Sequence, residues 1–187
     1  MGFAERNIQY VTSSSEFTTP GGVIHGHSPT DCLGGDLTTF WLSAGNSTPD
    51  SPYAVEYIEF SVGEIVNLIG IYPWGGNYDL YISIFEGGVW RGNDTVPYDS
   101  LGSGYVGDYA PDVLYVLKGS IGIETPALFY LPRDMGASRI RLSFSHLTRT
   151  DWGPKHYRAG VREVIAGYSE GIAKQQGQMA IGDQNKP

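Results

Sequence analysis

The eight residues RIRLSFSH (139–146) decide the fold. Ile140, Leu142 and Phe144 take every second position, and Arg139, Arg141 and Ser143 fill the positions around them. A period of two puts the first set on one face of a β-strand and the second set on the other, so one face is built to be buried and one to be wet. Working outward, AVEYIEFSV (54–62) alternates with Ile58, Phe60 and Val62 on one side, and YDLYISIF (78–85) with Tyr78, Leu80, Ile82 and Ile84. IVNLIGIY (65–72) is a near-continuous apolar run, the pattern of a buried strand. VLYVL (113–117) and ALFYL (127–131) are shorter candidates, and GNY, GGVW and GSG supply turns between them. Roughly six to eight such strands with no helical period predict an all-β, antiparallel β-sandwich or jelly roll.

The composition agrees. Charged residues are 17% of the 187, below the usual ~25%, while glycine reaches 26 and tyrosine 13. A helical bundle or coiled coil leans on Ala, Glu, Lys and Leu instead. The net charge of −8 argues against a phosphate-binding surface, so neither nucleic acid nor an anionic membrane is an expected partner. Acidic side chains do suit a hard cation such as calcium. No apolar run approaches the ~18 residues that span a bilayer. MGFAERNIQY lacks the apolar core of a secretory signal, and Arg6 stands where myristoylation needs Ser or Thr. Cys32 is alone, so no intrachain disulfide forms. The sequons at Asn46 and Asn93 are read as chance.

The organisation expected is a polar N-terminal arm (1–30), a sandwich (31–168) and a polar, Gln/Gly-rich C-terminal tail (169–187), with 91–112 as a long loop excursion.

The most specific stretch is CLGGDLTTFWLS (32–43), in which an Asp follows two glycines and Thr39 sits two before Trp41. YRAGVREVIAGY (157–168) carries Glu163 late in the chain, and IYPWGGNYDLYISIFEGGVW (71–90) lies between. Together these resemble the galactose-binding-like, or discoidin-type, jelly-roll domains found in carbohydrate-binding modules and tailed-bacteriophage structural proteins. The resemblance covers roughly residues 30–168 and implies a structural calcium ion, with Asp36, Thr39 and Glu163 as side-chain ligands. Position 34, where that family's loop carries its first Asp, is glycine here. The residues by themselves also allow Asp36 to cap a turn and Glu163 to pair with Arg158 or Arg162. Trp41 reads as a core residue.

In that family ligands bind in loops at one end of the sandwich. The ligand-binding candidates are Trp74, Tyr78 and Trp90 from the central strands, with Trp152, His156 and Tyr157 from DWGPKHY (151–157). Aromatic rings in turn-rich, polar contexts mark contact surfaces for sugar or for protein, or else pack under their loops. His25 and His27 lack the further ligands that zinc needs. No nucleophile elbow, metalloprotease helix motif or phosphate loop is present, and no catalytic residues are assigned. The carboxylates Asp94, Asp99, Asp108 and Asp112 read as solvated loop charges.

The expected function is therefore non-enzymatic: a bacteriophage virion component, made in the host cytoplasm, in a tail or capsid-decoration position. It would present the sandwich to host glycans or neighbouring virion proteins and self-associate through its arms. The alternative is a free-standing carbohydrate-binding lectin module.

Overall fold

The computed structural model describes residues 2–17, 28–45, 50–75, 78–91, 115–121, 127–151 and 153–170. Its strands are β1 (Phe3–Arg6), β2 (Gln9–Ser13), β3 (Trp41–Leu42), β4 (Glu56–Pro73), β5 (Tyr78–Glu86), β6 (Val89–Arg91), β7 (Tyr115–Ile121), β8 (Ala127–Ser145), β9 (Thr148–Arg149), β10 (Tyr157–Arg158) and β11 (Gly160–Ser169), with one 3-10 turn at Pro29–Cys32. The main path of hydrogen-bonded neighbours is β1-β11-β4-β8-β5-β6, with β2 on β4, β3 on β11 and β7 on β5. Among the described residues every strand pairing is antiparallel.

Two long strands carry the architecture. The stretches 54–62 and 65–72 belong to one strand, β4, and ALFYL and RIRLSFSH are the two ends of another, β8. Gly63, at φ 72°, joins the halves of β4, and its pairing with β8 shifts register between Ser61 and Glu64 and again between Val66 and Leu68. Such bulges bend a strand and raise its twist. The early half of β4 lies beside β2, the late half beside β11, and β8 runs along both. Both halves bury side chains in one core, which includes Ile58, Phe60, Ile69 and Ile71. The sheet has folded over itself into a sandwich.

The alternation in the sequence is the alternation in space. Ile140, Leu142 and Phe144 are buried, as are Ile58, Phe60 and Val62, and Tyr78, Leu80, Ile82 and Ile84. Phe144 meets Tyr78 edge-on at 5.4 Å and Trp41 at 6.3 Å. Side chains of this size each add about 1.5–3 kcal/mol on full burial. The opposite face is less wet than its pattern suggests. Glu59 is buried opposite Arg141, which donates from Nε and Nη2 to Glu59 Oε2 at 3.1 and 3.0 Å, while Arg139 reaches Oε1 at 3.1 Å.

The N-terminal segment corrects one expectation. Residues 2–17 are not an arm: β1 pairs with β11 and β2 with β4, while 18–27 lie outside the described residues. The reason is packing that the polar composition hides. Phe3 lies over Gly167, where a Cβ would stand 2.2 Å from the ring, and Ile8 and Tyr10 pack against the core. At the other end, Ser169 is still within β11, opposite Phe3. Residues 171–187, 92–114, His25 and His27 lie outside the described residues.

Candidate binding site at one end of the sandwich

Register decides which loops meet. Glu56 at the start of β4 pairs with Phe144 near the end of β8, and Asp79 at the start of β5 pairs with Ser145. The turn before β4, the exit of β8 and the entry to β5 therefore share one end of the sandwich. Two hydrogen bonds tie the turn to the exit: Ser145 Oγ donates to Tyr53 O at 3.1 Å, and Leu147 N to Pro52 O at 2.6 Å.

Three side chains converge there. The His146 ring meets the Tyr53 ring edge-on at 4.9 Å. Its Nδ1 lies 2.9 Å from Oδ2 of Asp79. Asp79 has no exposed surface, whereas the His146 side chain is 41% exposed and Tyr53 46%. A buried carboxylate thus orients an imidazole that reaches solvent beside a tyrosine that also reaches solvent. His146 has φ 56°, the sole non-glycine at positive φ among the described residues. That conformation costs on the order of 1 kcal/mol and needs surrounding structure to hold it.

A second pair borders the first. Asp50 accepts the backbone N–H of His156 at 3.1 Å, and its Oδ2 lies 3.1 Å from His156 Nδ1. Desolvation raises the Asp50 carboxyl, but hydrogen bonds from the backbone and ring of His156 outweigh it and hold the group below the ordinary carboxylate range. Beneath lies Arg158, buried, donating to Thr150 Oγ1 at 3.0 Å, Ser43 O at 3.0 Å and Lys155 O at 2.9 Å, over the ring of Phe17 at 4.5 Å. One planar guanidinium thereby joins the β9–β10 connection, at Thr150 and Lys155, to Ser43 just after β3.

Among the described residues, the expected ligand residues are spread over several places. His156 is exposed at this end, and Tyr157 is half-buried with partial packing on the core. Tyr78 is a core residue without exposed surface. Its hydroxyl donates to Trp74 O and accepts from Thr148 Oγ1. It cannot serve as a platform, because strand alternation turns it inward with Leu80. Trp74 stacks on Phe40 at 5.1 Å and 16°, and a Cβ on Gly160 would stand 2.9 Å from its ring. It is half-buried, pressed between β11 and the segment before β3. Trp90 lies opposite Phe85 in the β5–β6 hairpin. Phe85 is seven residues along β5 from Tyr78, about 23 Å at strand rise, so Trp90 belongs near the other end. Trp152 lies outside the described residues.

The expected calcium ligands do not form an oxygen cage. Glu163 Oε2 accepts the N–H of Gly35 at 2.6 Å. Asp36 Oδ1 accepts from Thr38 N at 2.9 Å and Thr38 Oγ1 at 2.6 Å, capping its own turn and lowering its pKa. Thr39 Oγ1 donates to Asp31 O at 2.9 Å and Asp36 O at 3.0 Å. Among the described residues no group of three or more His, Cys, Asp or Glu is placed to hold a metal. Cys32 is buried, and burial first and the Glu163 charge second push its thiol well above the ordinary range, so it is inert.

Sequence reasoning missed Tyr53, His146, Asp79 and Asp50. The signal for His146 was positional: it is the first residue past the clearest strand. Tyr53 and Asp79 carried no local signal, since each becomes a site residue only through the pairing of β4, β5 and β8.

No protein-family model matches this chain, and no curated protein is similar to it in sequence. Solved structures do match. The family 32 carbohydrate-binding module of C. perfringens NanJ, in complex with galactose, aligns at TM-score 0.56 and 11% identity over 89% of this chain and 99% of that one. The family 32 module of Streptococcus pneumoniae EndoD aligns at 0.53 and 12%, over 90% and 100%. The corresponding module of AlyQ, in complex with 4,5-unsaturated mannuronic acid, aligns at 0.52 and 18%, over 88% and 98%. At these identities the likeness is one of fold. The chain shares the antiparallel β-sandwich fold of these modules.

Proposed function

We propose that this protein is a non-catalytic carbohydrate-binding domain whose site is the Tyr53–His146–Asp79 end of the sandwich. The observation that carries the reading is the half-exposed His146 ring, held by a fully buried Asp79 and set against a half-exposed Tyr53. A sugar offers an apolar face of C–H groups and a rim of hydroxyls. A tyrosine supplies a rigid amphipathic surface for the first, and an oriented imidazole supplies hydrogen bonds for the second. With the Asp79 carboxylate accepting from Nδ1, Nε2 is left for a hydroxyl. His156, fixed by Asp50, borders the site and is a further polar contact.

The fold supports the same reading, because the similar solved structures above are carbohydrate-binding modules, two of them with sugars bound. The virion-component reading, with phage origin and arm-mediated self-association, draws no support from the site or from those similarities. The site bears equally on a lectin wherever it is displayed.

A glycan array probed with the purified chain, followed by isothermal titration of the strongest hit, tests the proposal. Saturable binding that Tyr53→Ala removes supports it. An array without hits for a folded protein contradicts it.

A further inference from the structure

We propose that adjacent residues Arg162 and Glu163 of β11 fasten the 33–39 loop as a metal-free clasp, in place of the calcium ion that the fold resemblance implies. Calcium takes six to eight oxygen ligands, so a calcium loop must turn carbonyls and carboxylates toward one point. This loop does the reverse at its closest approach to β11. Glu163 Oε2 receives the backbone N–H of Gly35 at 2.6 Å. N–H groups carry partial positive charge and repel a cation from the place that they fill.

The neighbouring residue works with the opposite sign. Arg162 Nη1 donates to Leu37 O at 2.7 Å, and its guanidinium lies over Phe40 at 5.4 Å. A carbonyl of the loop is thus already served by a built-in cation. Three further oxygens also accept hydrogen bonds: Asp36 Oδ1 from Thr38, and Asp31 O and Asp36 O from the Thr39 hydroxyl. Position 34 supplies no carboxylate, although a Cβ there would meet nothing within 4 Å. The missing ligand is therefore a chemical choice and not a steric one. Gly34, Gly35 and Glu163 also line an open cleft of about 610 Å³, so an ion in solution has access.

The test is thermal unfolding of the full chain in excess chelator and in millimolar calcium. The clasp predicts the same midpoint in both. Glu163→Ala and Arg162→Ala each lower that midpoint by roughly 2–6 °C, equally in the two buffers, since each removes a charge-assisted hydrogen bond. Glu163→Gln keeps an acceptor for Gly35 and loses less than Glu163→Ala. A wild-type midpoint raised by calcium overturns the proposal, and needs no variant to fold. So does a calcium effect that Glu163→Ala erases. Glycan binding is not read in this experiment, so its outcome is separate from that of the carbohydrate proposal.

Discussion

Nδ1 of His146 lies 2.9 Å from Oδ2 of the fully buried Asp79, and it is held there by a backbone at φ 56°. The first residue past β8 is strained, and its imidazole stands at the mouth of the sandwich, fixed from below by Asp79 and partly exposed above. Local strain that the surrounding structure pins in place is characteristic of sites that bind.

His146→Asn separates strain from contact. Asparagine tolerates the left-handed region, so the chain folds with a midpoint close to that of the wild type. Glycan affinity falls about tenfold, the equivalent of ~1.4 kcal/mol, by isothermal titration. Unchanged affinity would show that the imidazole does not touch the sugar.

Tyr53→Ala acts on binding and spares the fold. The ring is 46% exposed, and exposed positions usually change stability by no more than about 0.5 kcal/mol. Affinity drops at least about tenfold while the unfolding midpoint moves by roughly 1–2 °C. A large fall in the midpoint would assign the ring to packing instead.

Gly75→Ala tests the turn that leads into β5. Gly75 has φ 85°, and a Cβ would stand 2.6 Å from Thr148 Oγ1, which itself bonds the Tyr78 hydroxyl. The expected cost is about 1–3 kcal/mol, read by chemical denaturation. A neutral substitution would mean that the turn relaxes freely.

Arg158→Lys removes the hub under the site. A single ammonium cannot reach Thr150, Ser43 and Lys155 from one position as the guanidinium does. Buried acceptors then lose their donor, at about 1–3 kcal/mol. The loops carrying Asp50 and His156 should show faster amide exchange.

Asp50 supplies the pH dependence. Its carboxyl is depressed in the folded state, so its contribution is complete above the ordinary carboxylate range and is lost as pH falls through the depressed value. The side-chain carboxyl carbon shift of Asp50 reports this directly: it holds its ionised value through the ordinary carboxylate range and moves only below it.

What the sequence makes legible follows from the range of each signal. The alternation in RIRLSFSH needs only near neighbours, and Ile140, Leu142 and Phe144 are buried as it requires. The bulges that fuse 54–62 with 65–72 are harder to see, because Gly63 reads equally well as a turn. Polar composition made residues 1–30 look like an arm, since nothing local shows that Phe3 has a glycine to lie on at 167. Trp74 looked exposed because its neighbours are Pro73 and Gly75, but Phe40, distant in sequence, stacks on it. The site is the extreme case: Tyr53 and His146 meet only because Glu56 pairs with Phe144. No window of sequence contains that pairing. Glu163 and the 34–39 loop could be matched through a motif, whereas the N–H donor facing the carboxylate could not.

The most direct measurement is a heteronuclear NMR titration of the labelled chain with the strongest glycan from the array. The account predicts that the perturbed amides cluster in 51–54 and 146–150, with His156 at their border. Perturbation centred on the β5–β6 turn at Gly87 and Gly88, at the other end of the sandwich, would contradict it.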